Sequence, residues 1–443
     1  MGDRTAENYV IIPDARDANV LLKFSSGGWT LPTVSVPKHE RFWRETAAIN
    51  AQLESTLLLD ATVLRCAAVY RRRDSDARVA VFVVEPHQLN WARPSGTDWF
   101  GPDELAGLEL AEKEHREILT QYFAKPEGVA AHPWMSRGWM GSTLSWLETE
   151  FQRLGLRCVA TPDQRLADAF ECRIDLHTDR GPFELRAFPA ALRHRVALMQ
   201  QLHRSFARLV PRVLAADAKR GLVFHEPTGV HAAAAEGGDR SAIALRELAR
   251  VQLGFRDRVE ALVAAGVPDL RTAELAGRID AHFKQLAALT GDDDEVEATA
   301  LRRLARRVKR FEKACFDLAA LGIADSLHHS ALSASVRAVE GGGIQIVDWP
   351  AQVAHPFLSV AALLRDRAPG EAEREEWIES YLSVFRPAHP EVDLRAAVDL
   401  AIALLPIVES FDALARHDMA YGAWERAAEL ERLVECVREL TAD

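Results

Sequence analysis

The sequence contains few cysteines, and their spacing excludes two common architectures. Cysteine occurs five times in 443 residues, at widely separated positions without any C-x-x-C spacing: Cys66, Cys158, Cys172, Cys315 and Cys436. Zinc sites need closely spaced ligands, and disulfide frameworks in secreted domains use an even number of cysteines. The pattern therefore indicates neither, and it favours a reducing compartment.

Long apolar runs and a signal peptide are also missing from the sequence. No stretch of about 18 apolar residues, the length that a membrane-spanning helix needs, occurs anywhere in the chain. The first residues, Met1 to Asn8, include acids where a signal peptide has a basic region followed by an apolar one. We therefore expect a cytoplasmic protein without a membrane partner.

The chain lacks an excess of positive charge. It has 65 acidic and 54 basic side chains, for a formal net charge of -11, which gives no general attraction to nucleic acid. We therefore expect no nucleic-acid partner. One charged run stands out, with acids over Asp292–Glu297 and bases over Arg302–Arg310. This order complements a helix dipole and favours a solvated helix face; a phosphate-binding patch is the alternative.

The composition that is present predicts a folded protein with several domains. Hydrophobic residues make up 48% and charged residues 27% of the chain, which is typical of globular proteins. At about 100 to 200 residues per domain, the length predicts two or three units. In the first part, helical patterns at Glu40–Leu53 and Asp103–Phe123 accompany short β-type runs. These runs are Tyr9–Ile12, Val20–Phe24, Val63–Tyr70 and Val79–Val84.

These patterns predict an α+β chain with an ordered series of domains. A small α/β domain covers residues 1–124, and a polar, proline-interrupted linker covers 125–137. A β-containing part covers 138–230, and a mostly helical part covers 231–443. The elements predicted after the linker are helices at Ser142–Leu154 and Leu192–Leu209, a hairpin of Cys172–His177 with Phe183–Phe188, and short strands at Leu222–Phe224, Ser335–Val339 and Ile344–Val347.

The most specific motif runs from Leu327 to Trp349 and reads LHHSALSASVRAVEGGGIQIVDW. It resembles the catalytic and metal-binding loops of aminoglycoside and choline kinases, in which a Leu-His-Gly-Asp run reaches an asparagine, then a hairpin, then Asp-Trp. His355–Leu358 is similar to the element that follows in that family, and Phe183–Ala187 and Lys219–Glu226 resemble upstream strands in the family's order. The resemblance covers residues 136–443 and implies a bilobal protein-kinase-like domain with a mostly helical C-lobe.

The resemblance also implies a role for individual residues. Phosphoryl transfer needs metal ions on the phosphates and a carboxylate that orients the acceptor hydroxyl. Asp348 stands at the first metal ligand, Ser335 replaces the asparagine that is the second, and Ser330 replaces the catalytic aspartate. Phe224 and Glu226 fall on the strand that enters the adenine-contacting hinge.

The strand cation and its helix partner are altered as well. Arg186 stands where the family has lysine, and the glutamate that pairs with it falls at Arg195, with His194 as the neighbouring choice. Two guanidinium groups in contact repel each other unless an anion lies between them. The resemblance therefore leaves two alternatives, a doubly basic anion pocket and an Arg195 that points to solvent.

These replacements predict that ordinary kinase activity is lost. Removing a positioned acid or base costs about two to four orders of magnitude in rate. His328 matches the family's own histidine, while His329 and Asp325 are candidate substitute bases. We expect a nucleotide- or metabolite-binding pseudokinase or a repurposed cleft, with a small molecule, a nucleotide or a protein as its partner. The alternative is an active small-molecule O-kinase that uses ATP and Mg²⁺.

The N-terminal part resembles a Nudix domain in outline. The similar segments are Trp29–Pro32 and Trp99–Leu105, on either side of a predicted helix. Nudix chemistry depends on an Arg-Glu pair followed closely by a Glu-Glu pair that together bind a divalent metal. Here Arg44-Glu45 is followed by Thr46–Ile49, so the paired carboxylates are absent. The resemblance implies a degenerate domain with a scaffold or ligand-sensing role.

Overall fold

The computed structural model describes residues 5–14, 19–37, 44–72, 78–88, 90–124, 132–227, 230–231, 240–290, 298–339, 343–349 and 351–442. By its internal contacts the chain divides into two units, Met1–Ala190 with Ala420–Arg426, and Ala191–Met419 with Ala427–Asp443. The first unit thus joins the N-terminal domain to three strands of the part that resembles kinases. Among the described helices, none has the length and apolar character needed to cross a membrane.

The described residues of the first unit form both β-sheets and helices. Its strands are β1 (Thr5–Ile11), β2 (Val20–Ser25), β3 (Gly28–Thr30), β4 (Thr33–Pro37), β5 (Ala61–Arg71), β6 (Arg78–Pro86), β7 (Thr97–Phe100), β8 (Asp163–Ala167), β9 (Cys172–Thr178) and β10 (Gly181–Ala187). Its helices are α1 (Ala47–Leu57), α2 (Pro102–Leu105), α3 (Lys113–Ala124) and α4 (Trp139–Leu154). A mixed sheet has the order β4-β1-β6-β5, and a smaller antiparallel sheet has the order β3-β2-β7. Strands β8, β9 and β10 form an antiparallel meander, which confirms the hairpin predicted at Cys172.

The mixed sheet is covered on both faces, which explains its apolar sequence. Successive side chains of a strand point to opposite faces. Accordingly, Val10 of β1 packs with α1 in one apolar cluster, while Ile11 packs with Leu119 of α3 in another. Residues Val79–Val84 of β6 are buried throughout, as expected for a strand buried on both faces.

Two predicted helices in the first unit differ from the structure. Helix α1 begins at Ala47 and extends to Leu57, whereas residues 40–43 of the helix predicted over Glu40–Leu53 lie outside the described part. The helix predicted over Asp103–Phe123 is wrong in its middle, because residues 106–112 form a connection between α2 and α3. The N–H of Trp29 donates to the Glu109 carbonyl at 2.8 Å, and the N–H of Ala111 donates to the Trp29 carbonyl at 2.9 Å. These long-range hydrogen bonds to β3 replace helical ones.

The predicted linker is only partly described. Residues 125–131 lie outside the described part of the chain. After them, Pro133–Met135 form a short 3-10 turn in which the Trp134 side chain is buried.

The second unit is mostly helical, as the sequence predicts. Its strands are β11 (Val213–Asp217), β12 (Leu222–His225), β13 (Val230–His231), β14 (Ser326–His329), β15 (Val336–Ala338), β16 (Ile344–Ile346) and β17 (Ala351–Ala354). Its helices are α5 (His194–Ser205), α6 (Ser241–Phe255), α7 (Val259–Ala264), α8 (Thr272–Thr290), α9 (Ala298–Ala320), α10 (Leu332–Ser335), α11 (Leu358–Arg367), α12 (Glu371–Phe385), α13 (Leu394–Met419) and α14 (Ala423–Thr441). Helix α14 begins within the segment that belongs to the first unit. Strand β14 pairs antiparallel with β17, and β15 pairs antiparallel with β13 and β16.

Candidate functional site

His329 ends β14, and both nitrogens of its ring are already bonded within the protein. Its Nε2 lies 2.6 Å from the backbone carbonyl oxygen of Asp348, and the N–H of Ala331 donates to its Nδ1 at 3.3 Å. The side chain is fully buried against Trp349, and burial lowers its pKa to about 4. The expectation that His329 is a candidate base does not match this geometry, because no lone pair remains to accept a substrate proton.

His328 belongs to a buried polar network that stabilises the start of the loop after β14. The Ser359 hydroxyl lies 3.1 Å from His328 Nδ1 and accepts the N–H of His329 at 2.9 Å. Gln252 donates to Ser359 and to the carbonyls of Leu327 and Pro356. Burial lowers the pKa of His328 to about 3, so the ring is neutral near pH 7 and supports the loop.

The two serines differ in their surroundings. Ser330 is half-buried, and its hydroxyl has no hydrogen-bond partner among the residues that the structure describes. Ser335 is buried and donates to the carbonyl of Ala331 at 2.8 Å. A serine hydroxyl cannot serve as a general base near neutral pH, so the loop presents no proton acceptor at the position of the catalytic carboxylate.

Asp348 is the carboxylate that the resemblance assigns to the first metal ligand. Asp348 follows β16 and is half-buried, and its backbone carbonyl binds His329. Asp325 lies elsewhere in the polar network: it accepts hydrogen bonds from Thr272 at the start of α8, and burial raises its pKa to about 6. Within the described residues, no group of three or more His, Cys, Asp or Glu side chains is arranged to hold a metal ion.

Arg186 is buried on β10 and forms an ion pair with Glu171. Its Nη2 and Nε lie 2.5 and 3.1 Å from Glu171 Oε2, while Arg173 bonds the other carboxylate oxygen at 2.6 and 2.8 Å. Burial of Glu171 opposes its ionisation, but the two guanidinium groups hold its pKa well below the usual range. The positive charge of Arg186 is therefore balanced by Glu171, a residue of the same unit. Arg195 and His194 lie on α5 of the second unit, where His194 is buried.

The turn between β8 and β9 carries carboxylates where a kinase carries glycines. In protein kinases a glycine-rich loop covers the phosphates and the lysine lies on the third strand. Strand β10, with Arg186, is the third strand of the part that resembles kinases, and the resemblance implies that the turn over Asp168–Glu171 corresponds to that loop. It contains no glycine, and we call it the phosphate turn.

The backbone N–H groups of the phosphate turn are already bonded to carboxylates. Asp168 Oδ1 accepts the N–H of Phe170 at 2.7 Å and of Glu171 at 3.0 Å. The Glu425 carboxylate lies at the same turn and accepts the N–H of Tyr421 at 2.8 Å. Burial raises the pKa of Glu425, and the charge of Asp168 raises it further. Successive backbone N–H groups form anion sites in proteins, and here Asp168 already binds two of them.

The N-terminal domain pairs with the edge of β8. The Ala167 N–H donates to the Arg44 carbonyl and the Thr46 N–H to the Arg165 carbonyl, both at 3.1 Å. Arg44 also forms an ion pair with Asp168. Arg44 and Glu45 therefore lie in an edge-strand contact, where Arg44 neutralises Asp168.

Gln164 fixes this contact through its side chain. Its amide donates to the Val63 carbonyl at 2.9 Å and accepts the Val63 N–H at 3.1 Å, and its backbone carbonyl accepts the Thr46 hydroxyl at 2.6 Å. The amide thus pairs with Val63 as a neighbouring strand would, at a bulge of β5.

The residues predicted to contact adenine are buried or already form hydrogen bonds at β11 and β12. Phe224 is fully buried on β12. The Glu226 N–H donates to the Arg212 carbonyl at 2.9 Å, and the Glu226 carbonyl lies 2.7 Å from His225 Nδ1. The backbone donor of Glu226 is therefore not available to a base edge.

Sequence reasoning found the loop residues but missed the acids of the phosphate turn. Asp168 had a local signal, since an aspartate that starts a short turn commonly accepts the backbone N–H groups that follow. Glu425 had none, because its partner Ala169 is distant in the sequence. Taken together, the residues present do not fit ATP and Mg²⁺ bound in the kinase manner: the phosphate turn is filled with carboxylates, and one carboxylate remains for metal.

No family model and no curated protein matches the sequence. Solved structures similar to the chain include a macrolide 2'-phosphotransferase from Brachybacterium faecium, at 17% identity over 67% of this chain and 98% of that chain, with a TM-score of 0.43. A choline kinase from Streptococcus pneumoniae matches at 12% identity over 67% of this chain and 99% of that chain, with a TM-score of 0.40. An ethanolamine kinase from Plasmodium vivax matches at 12% identity over 74% and 95%, with a TM-score of 0.45. At this similarity, function must be inferred from the chain's own residues.

Proposed function

We propose that this chain is a phosphotransferase-like protein that does not perform ordinary ATP-dependent phosphoryl transfer and acts by binding a small molecule or a protein partner. The filled phosphate turn is the observation that carries this proposal. A polyphosphate placed there would have to compete with Asp168 for Arg44 and with Glu171 for Arg173 and Arg186, because these ion pairs already use the local cations. It would also have to displace hydrogen bonds that already satisfy the turn.

The catalytic loop supports the same proposal. Ser330 stands where a carboxylate orients the acceptor hydroxyl, and both ring nitrogens of His329 are bonded. Loss of a positioned base costs about two to four orders of magnitude in rate. We therefore favour ligands without phosphate groups, such as metabolites, over nucleotides. In this proposal the protein is a pseudokinase that binds a metabolite or a protein partner.

We propose that the N-terminal part is a degenerate Nudix-like domain with a scaffold role. Its mixed sheet lies between α1 and α3, and Arg44, from the motif that binds metal in that family, pairs with Asp168. Glu45 lies in an isolated bridge to Leu166 and is exposed. This segment thus stabilises an interface instead of holding a metal.

An active O-kinase that uses ATP and Mg²⁺ is the second candidate. It is favoured by the retained Asp348 and by the ion pair of Arg186 with Glu171, which resembles the lysine–glutamate pair of kinases. The two candidates differ in one measurable outcome, the appearance of a phosphorylated product.

The test is a transfer assay with γ-radiolabelled ATP, Mg²⁺ and a panel of aminoglycosides, amino alcohols and sugars. We expect no product above the protein-free blank. Product that disappears in Asp348→Ala but persists in the exposed control Asp257→Ala would establish the active kinase and overturn the proposal. In parallel, a metabolite library is screened by thermal shift, and we expect stabilising ligands among compounds without phosphate.

A further inference from the structure

A cavity in the first unit lies apart from every residue discussed so far. It has a volume of about 480 Å³ and lies between α4, the loop that follows α4, and β9. Its walls are apolar and include Leu144, Leu147 and Phe151 of α4, Leu156 of the loop and Leu176 of β9. Sites for small molecules commonly have about 300 to 1,000 Å³ and mainly apolar walls.

The cavity is formed by well-anchored backbone. Leu144, Leu147 and Phe151 lie three and four residues apart, so they share one face of α4. Two backbone hydrogen bonds fix the loop. The N–H of Leu156 donates to the Phe151 carbonyl at 2.9 Å, and the N–H of Val159 donates to the His177 carbonyl at 2.8 Å. Asp179 closes it further by donating its N–H to the Arg157 carbonyl at 2.9 Å. The walls are therefore fixed without a ligand.

Two residues of opposite charge, both exposed, are among those that line the cavity. They are Glu148 and Arg157, and neither side chain has a hydrogen-bond or ion-pair partner among the described residues. The exposed Gln152 lines the cavity as well. Nearby, by contrast, Arg153 pairs with Glu150 at 2.7 Å. The cavity thus offers an apolar slot together with one unpaired cation and one unpaired anion.

We propose that this cavity binds a hydrophobic α-amino acid. The carboxylate pairs with Arg157, the ammonium group pairs with Glu148, and the apolar side chain fills the slot against Leu147, Phe151 and Leu176. Such a ligand satisfies all three features at once, whereas a polyanion meets the Glu148 charge and an uncharged ligand leaves both charges unpaired. This site is independent of the proposed function.

The test compares amino acids with analogues that lack one charge. Leucine and phenylalanine are titrated by calorimetry against isocaproate and hydrocinnamate, which lack the amine, and isoamylamine and phenethylamine, which lack the carboxylate. A hydrogen bond to a charged group contributes about 1.5 to 3 kcal/mol, so each analogue should bind at least about 10-fold more weakly. Equal binding of the three classes would overturn the proposal.

Cys158 provides an independent readout in the intact protein. It lines the cavity and is half-buried, while the other four cysteines are buried. A saturating hydrophobic amino acid should therefore slow alkylation of Cys158 severalfold, and Cys158→Ser should abolish the labelling. Unchanged alkylation with every amino acid tested would overturn the proposal.

Matched variants test the two charges. Arg157→Gln and Glu148→Gln should each weaken binding at least about 10-fold, while Arg153→Gln and Glu150→Gln, on the neighbouring ion pair, should leave it unchanged. All four side chains lie at the surface or in an exposed pair, so folding is not at risk. An equal loss in both pairs of variants would contradict the assignment.

Discussion

Gln252 shows how one buried side chain supports the loop that carries His328 and His329. Its amide donates to the Leu327 and Pro356 carbonyls and to Ser359, and its oxygen accepts the Tyr381 hydroxyl at 2.5 Å. Removing a side chain that leaves buried polar groups unpaired costs about 1 to 3 kcal/mol per group. The loop therefore depends on a residue of α6 that has no direct role in chemistry.

We expect Gln252→Ala to lower the free energy of unfolding by at least about 2 kcal/mol, because several buried groups lose a partner. Urea unfolding followed by circular dichroism measures the effect. Gln285→Ala, at an exposed position of α8 in the same unit, is the control and should change stability by less than about 0.5 kcal/mol. A similar loss in both variants would contradict the assigned role.

Glu409 on α13 should make stability depend on pH. Burial raises the pKa of Glu409 from 4.5 to about 7. The charge of Arg365, which forms ion pairs with both Glu409 and Glu439, opposes this shift. A carboxyl whose pKa is raised on folding stabilises the fold in its protonated form. That contribution is complete below pH 4.5 and is lost as the pH rises through about 7.

Glu409→Gln should therefore gain stability relative to the parent chain as the pH rises from 5 to 8, by about 1 kcal/mol or more. Thermal unfolding across this range measures the difference. Glu439→Gln, which removes the more exposed of the two carboxylates paired with Arg365, should show a smaller change. If the stability of the parent chain and that of Glu409→Gln changed equally with pH, the pKa of Glu409 would not be raised in the folded protein, and the prediction would be wrong.

At the residue level, the sequence predicted positions better than interactions. The spacing from Leu327 to Trp349 predicts the strands on either side of the loop, because these elements are local in sequence, while the roles assigned to Ser330, Ser335 and Asp348 stay predictions. It did not reveal that His329 bonds the Asp348 carbonyl, since a buried histidine and a catalytic one look the same in a sequence. Glu171 was missed because its ion pair with Arg186 depends on strand register.

At the level of elements, the edge of β8 illustrates how an interface can reuse backbone pairing. Unpaired edge strands expose N–H and C=O groups that invite pairing with another segment. The stretch Arg44–Thr46 covers this edge, and the Gln164 amide satisfies both backbone groups of Val63 at the β5 bulge. The contact thereby joins the N-terminal domain to the strands that resemble those of kinases.

Gln164→Ala should destabilise this contact by about 1 to 3 kcal/mol, because the Val63 N–H and carbonyl lose their partner in a buried place. Hydrogen exchange at the Val63 amide, together with chemical unfolding, measures the loss. Gln52→Ala, at a half-buried position of α1 where the amide bonds only to Ser55 among the described residues, serves as the control. Unchanged protection of Val63 in the Gln164 variant would refute the role of the amide.

Elements with strong local patterns were predicted, and those shaped by distant contacts were not. The apolar run of β6 and the hairpin of β9 and β10 are recognisable because strand periodicity is short. The helix expected over Asp103–Phe123 fails because Trp29 binds the backbone of Glu109 and Ala111. A glycine at position 28 makes this approach possible, since its φ is +112° and a Cβ there would lie 2.5 Å from the Glu109 carbonyl oxygen.

At the level of the whole molecule, distant parts of the chain meet at the phosphate turn of the first unit. Arg44 arrives from the N-terminal domain and Glu425 from the segment Ala420–Arg426. Both bind the turn whose N–H groups and charge decide whether phosphates are held. The central claim of the proposed function is that these internal carboxylates take the place of an external anion.

Calorimetric titration of the full chain with MgATP tests this claim most directly. The filled phosphate turn predicts no saturable binding up to about 1 mM ATP, the limit that corresponds to about -4.1 kcal/mol. Saturable binding with a Kd below about 0.1 mM, abolished in Asp348→Ala and retained in Asp257→Ala, would contradict it.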